Sequence, residues 1–92
     1  MPYKIIRTDS YFKKLTKFLK KHPDAIERYI KTIELLEINP FHPSLRLHKL
    51  QGKLNEYHSV SINLSYRIVI DLVITEAQII PIDIGAHDEV YS

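Results

Sequence analysis

The hydrophobic period of this chain changes twice along its length. Residues 3–7 read as a short strand, and Thr8-Asp9-Ser10 offers three side chains able to cap a helix. From Tyr11 the apolar positions recur at three, four and seven: Tyr11, Leu15 and Phe18, with Phe12 and Leu19 beside them. That spacing predicts an amphipathic helix whose other positions carry Lys13, Lys14, Lys17, Lys20 and Lys21. Pro23 disfavours helical geometry at His22 and ends it. The same proline suits the first turn of a second helix, in which Ile26, Tyr29, Ile30, Ile33 and Leu36 fall on one side until Asn39-Pro40. Two helices joined by so tight a corner form an antiparallel hairpin, whose apolar faces need a sheet to cover.

The second half supplies strands. Residues 45–50 form one candidate, followed by a turn at Gln51-Gly52. Residues 56–62 alternate, with His58, Val60 and Ile62 on one face and Tyr57, Ser59 and Ser61 on the other. After a turn at Asn63-Leu64-Ser65, residues 66–73 make the strongest strand: Tyr66, Ile68, Ile70 and Leu72 alternate with Arg67, Val69, Asp71 and Val73. A last strand runs over residues 77–84, closed by Gly85; Pro81 places it at an edge or bulges it near its middle. The expected fold is α+β: an N-terminal strand and a helical hairpin packed on one face of a twisted, mainly antiparallel sheet, with the other face concave. Leu15, Ile30, Ile33, Ile68, Ile70 and Ile82 are the expected core.

Composition sets bounds. Ninety-two residues, 45 % apolar and 26 % charged, suit one globular domain over residues 1–92. No apolar run approaches the roughly 20 residues of a membrane span, and Met1-Pro2-Tyr3-Lys4 lacks a secretory leader, so the expected location is cytoplasmic. Without cysteine there is no disulfide, thiolate chemistry or cysteine-ligated zinc. The five histidines show no helical ligand pairing, so neither metal nor cofactor is expected. A net charge of +2 fits RNA, DNA or an acidic protein equally.

The candidate chemistry lies in the second half. In an antiparallel meander Arg67, at the start of its strand, neighbours Gly85, Ala86 and His87 past the last strand, and Ser61 belongs to the same edge. Arg67 points away from the Ile68–Ile70 face. There it either pairs with Asp71 or Asp83 across a solvated sheet or meets a phosphate, which a planar guanidinium matches well. His48 reads as a structural histidine between Leu47 and Leu50 or as an acid/base group. His87 reads as a surface histidine before Asp88-Glu89 or as a second such group. Tyr91 is a candidate stacking platform for a base.

In order and spacing, Leu47-His48-Lys49-Leu50-Gln51-Gly52, Tyr66-Arg67-Ile68-Val69-Ile70 and Ile84-Gly85-Ala86-His87-Asp88-Glu89-Val90-Tyr91 resemble the RelE/ParE superfamily of toxins. The first and third segments are similar to the YafQ-like branch of ribosome-dependent messenger-RNA endonucleases, and the Tyr-Arg pair to the RelE branch. The resemblance implies a type II toxin whose acid/base groups are His48 and His87, with Arg67 on the scissile phosphate and Tyr91 as active-site aromatic. Lys49, Ser61, Ser65 and Tyr66 would meet the substrate. Serine stands at 61 and 65 where the YafQ-like branch carries histidine and aspartate, and Tyr66 stands where it carries tryptophan. The implied partners are a cognate antitoxin, with which a heterotetramer is one arrangement, and the ribosome with its message. Two alternatives on the same fold stay open: a ParE-like gyrase inhibitor without nuclease chemistry, and a non-catalytic partner-binding protein.

Overall fold

The computed structural model describes residues 2–86. In chain order it contains β1 (Lys4–Ile5), α1 (Asp9–Lys21), α2 (Ile26–Ile38), β2 (His48–Lys49), β3 (His58–Ser61), β4 (Tyr66–Val73) and β5 (Gln78–Ala86). The strands form one sheet in the order β1-β5-β4-β3-β2, with β1 parallel to β5 and the other neighbours antiparallel. The expected α+β architecture is the one observed.

Local signals set the hairpin. The Thr8 hydroxyl accepts from the Tyr11 amide at 3.2 Å and starts α1. At the other end His22 leaves helical geometry before Pro23, and a single 3-10 turn at Pro23–Ala25 leads into α2. The buried stripe of α1 is Tyr11 and Phe18, with Leu15 and Leu19 half-buried against the core. Phe12, about 100° round the helix from Tyr11, is 63 % exposed. On α2 the buried stripe is Tyr29, Thr32, Ile33 and Leu36, while Ile26 and Ile30 face outward, which corrects the expectation for Ile30. Thr32 can occupy the inner stripe because its hydroxyl donates to the Arg28 carbonyl at 2.8 Å, so no polar group is left unpaired. The buried Tyr11 and Tyr29 hydroxyls meet at 2.9 Å and tie the helices together. Burial holds both phenols above the ordinary tyrosine range.

Val60, Ile68, Ile70 and Ile79 are fully buried on the sheet face under the helices. Each such side chain contributes roughly 1.5–3 kcal/mol. β5 is an interior strand with a bulge: Ile70 faces Pro81 but Val69 faces Asp83, leaving Ile82 as the extra residue. The extra residue inverts the alternation. Ile84 returns to the helix side, while Ile82 is half-buried on the opposite face with Val69 and Leu50, a correction to its expected place in the main core. The expected strand over 45–50 shrinks to β2, because a 3-10 turn at Pro43–Leu45 ends with Arg46 in the left-handed region (φ 50°, ψ 45°). No described helix is long and apolar enough to cross a membrane.

Candidate functional site

Strand register builds the site on the face away from the helices. Ser61, Arg67 and Gly85 lie side by side across β3, β4 and β5, and Ser59, Val69 and Asp83 form the next row. His48 extends that second row from β2, opposite Ser59. Ladder spacing puts the His48 and Arg67 Cα atoms roughly 12 Å apart, a gap two long side chains can span around one phosphodiester. The face is not wholly open: Leu50, Leu54 and Tyr57 fold over Val69 and Ile82 in a second small apolar cluster. What remains accessible is the Arg67 end, together with a hollow of about 320 Å³ beside His48 whose walls include Leu50 and Leu54.

Arg67 is half-buried, and its Nη1 is sealed from solvent with no hydrogen-bond partner among the described residues. Neither Asp71 nor Asp83 pairs with it; among the described residues the ion pair found is Lys31–Glu27 on α2, at 3.6 Å. The Asp83 carboxylate instead accepts from the Ile84 amide at 2.8 Å. A buried cationic donor left unsatisfied is costly in a folded protein, and an anion reaches it only when the groups that seal it move aside.

His48 is exposed rather than half-buried. Its Nδ1 lies 3.1 Å from the Arg46 carbonyl. A carbonyl only accepts, so in the neutral ring Nδ1 carries the proton and Nε2 the lone pair. The left-handed backbone at Arg46 closes the preceding 3-10 turn immediately before that carbonyl, which links this local strain to the imidazole's orientation.

Ser61 is buried, with its hydroxyl donating to the Asn63 carbonyl at 2.7 Å. Ser65 is exposed in a turn organised by Asn63, whose side-chain oxygen accepts from the Ser65 and Tyr66 amides at 2.8 and 2.9 Å. Lys49 is exposed and points to the side of β2 opposite His48, beside His58. Tyr66 lies on the helix side. Its ring packs edge-on against Phe18 and beside His22, and its hydroxyl meets His22 Nδ1 at 2.9 Å. It is thus unavailable to stack on a base bound at Arg67. His87 and Tyr91 lie outside the described residues; β5 ends with Ala86 beside Tyr66, one residue along from the Arg67–Gly85 pair.

Two features were not anticipated from sequence. His58 has a solvent-sealed Nδ1 without a partner among the described residues. Burial, then the charges of Lys49 and His48, hold its pKa below the usual imidazole range against the opposing pull of Asp71. Its place in the apolar parity of Val60 and Ile62 was the available signal. The second is Asn63, flagged only as a turn residue. Among the described residues, no three His, Asp or Glu side chains gather as a metal site.

A helical hairpin over this strand order is the RelE-like α+β fold, and solved toxin structures share it throughout. A point mutant of YafQ from E. coli matches with a TM-score of 0.79 at 18 % identity, over 98 % of this chain and 99 % of that one. YafQ in the E. coli DinJ–YafQ toxin–antitoxin complex matches at 0.77 and 16 % identity, with both chains covered completely. A YoeB/ParE toxin from Agrobacterium tumefaciens matches at 0.68 and 20 % identity, over 91 % of this chain and 98 % of that one. No family model and no curated protein matches the sequence. At these identities the likeness establishes the fold.

Proposed function

We propose that this chain is the toxin of a type II toxin–antitoxin system and acts as a ribosome-dependent messenger-RNA endonuclease. The observation that carries the reading is the half-buried guanidinium of Arg67, with one nitrogen that no described residue partners, one strand from Ser61 and on the same face as His48. The fold shared with the solved DinJ–YafQ toxin–antitoxin complex of E. coli supports it.

In this mechanism His48 Nε2 takes the proton of the 2′-hydroxyl, whose oxygen attacks the adjacent phosphorus. The bond to the 5′-oxygen breaks, and that oxygen leaves with a proton from His87. The products are a 2′,3′-cyclic phosphate and a 5′-hydroxyl. An unperturbed imidazole titrates near pH 6.5, which suits either transfer. Arg67 binds the non-bridging oxygens and stabilises their added charge in the transition state. Tyr91 serves as the active-site aromatic, and Ser61 and Ser65 border the substrate. DNA lacks the attacking hydroxyl and is not cut.

A cognate antitoxin, with an acidic segment that folds on binding, is the second partner. The exposed Lys13, Lys14, Lys17, Lys20 and Lys21 of α1 suit such a segment. Primer extension on a translated message, with and without ribosomes, tests the reading: cleavage is expected only when ribosomes are present. An intact message with stalled DNA replication would instead identify a gyrase inhibitor. If both processes are untouched, the chain is a non-catalytic binding protein.

A further inference from the structure

A second basic pocket lies round the edge of the sheet from Arg67. β2 pairs with β3 only at His58 and Ser59, so the β3 edge at Val60 and Ser61 has no strand beside it among the described residues. The chain around Ser44 and Arg46, the 63–65 turn and Arg28 of α2 enclose a hollow of about 400 Å³ there. Arg28 and Arg46 line it with Ser44, Ser61 and Ser65, and no acidic side chain does among the described residues. The Arg28 Nε donates to the Ile62 carbonyl at 3.3 Å, which holds that guanidinium at the rim. Arg46 is presented from the left-handed backbone position whose carbonyl meets His48. Among the described residues neither arginine has a carboxylate partner. Ser61 belongs both to this pocket and to the row containing Arg67; neighbouring strands are only about 4.8 Å apart.

We propose that the Arg28–Arg46 pocket binds a backbone phosphate of the same single-stranded RNA whose scissile phosphate lies on Arg67. The inference rests on the nuclease reading and adds a subsite that extends the footprint beyond one dinucleotide. Planar guanidinium forks match phosphate oxygens in geometry as well as charge. The ribose-phosphate chain runs from the open face over Ser61 and round the edge of β3.

The test compares uncleavable 2′-O-methyl RNA of two and six nucleotides, bound to wild-type protein and to the Arg28→Gln/Arg46→Gln double variant. Hexanucleotide affinity should fall about tenfold or more, as expected when two charge-assisted hydrogen-bonding groups are removed. Its log–log salt slope should become shallower by about 0.7 for each phosphate that the variant no longer neutralises. Dinucleotide affinity should stay within about twofold of wild type, because its one phosphate sits on Arg67. The Arg28→Lys/Arg46→Lys variant should recover part of the hexanucleotide affinity. An unchanged hexanucleotide affinity, or an equal loss for both lengths, overturns the proposal. So does a double variant that loses binding to a glutamate-rich peptide but keeps binding RNA. Cleavage of translated message is scored separately: an inactive wild type whose hexanucleotide binding still depends on Arg28 and Arg46 rejects the nuclease and retains the subsite.

Discussion

The two faces of the sheet use the same strands in opposite ways. Under the helices Val60, Ile68, Ile70 and Ile79 are wholly buried in one continuous apolar cluster. On the other face Arg67, from the same strand as Ile68 and Ile70, keeps a desolvated donor that no described residue satisfies, beside a small patch built on Val69 and Leu50. One face is built for stability. The other holds a charge that no described residue neutralises, as expected of a surface shaped for a ligand rather than for the fold.

The largest effect should come from the covered face. Ile70→Ala removes buried side-chain volume that the helix hairpin cannot easily refill, and should cost about 2–5 kcal/mol in chemical denaturation. A loss below about 1 kcal/mol would show that the face is less tightly packed than its burial indicates. Arg67 should behave in the reverse manner. Arg67→Ala should lower the single-turnover cleavage rate by about 10²–10³-fold, as for one transition-state donor. Arg67→Met, which keeps the apolar stem, should leave the melting temperature unchanged or higher because it removes a buried donor that no described residue pairs. A large drop in stability with little change in rate would return Arg67 to a structural role.

Smaller effects sharpen the contrast. Tyr11→Phe leaves the buried Tyr29 hydroxyl without its partner and should cost about 1–3 kcal/mol. Adding Tyr29→Phe should cost less than the sum of the two single changes, and strict additivity in the double-mutant cycle would deny the coupling. His58 should make the protein acid-sensitive. Its folded pKa lies below the usual value of about 6.5, so as pH falls through 6.5 the unfolded chain takes up the proton first. Stability is therefore full above that range and declines between about 6.5 and the lower folded value. His58→Gln should flatten this part of the profile; an unchanged slope would exclude His58 as its source.

Much of this contrast is written in the alternation of apolar and polar residues. Residues 66–73 match β4 end for end, and their parity alone separates Arg67 from Ile68 and Ile70. It also places Tyr66 with the isoleucines, where its ring packs against Phe18. Thr8 and the His22–Pro23 corner specify the hairpin because caps and prolines act through nearest neighbours. Periodicity was less decisive where two helical stripes competed. Ile30 or Thr32 could equally have faced inward on spacing, and the intrahelical bond of Thr32 allowed the polar residue to be the buried one. The bulge was legible from Pro81, but not which residue would be extra or that Ile82 would change faces.

The site divides along the same line. The helix hairpin, the β3–β5 meander and the juxtaposition of Arg67 with Ser61 and Gly85 are legible in the chain alone, because register follows from period-two patterning and short turns. That Arg67 Nη1 is sealed from water with no partner among the described residues emerges only on folding, since desolvation depends on every segment packed around an atom. The same holds for the left-handed turn that sets the Arg46 carbonyl against His48. It holds again for the pocket that brings Arg28 of α2 to Arg46 and the 63–65 turn. These groupings join residues from separate elements, and no local pattern encodes the distance between them.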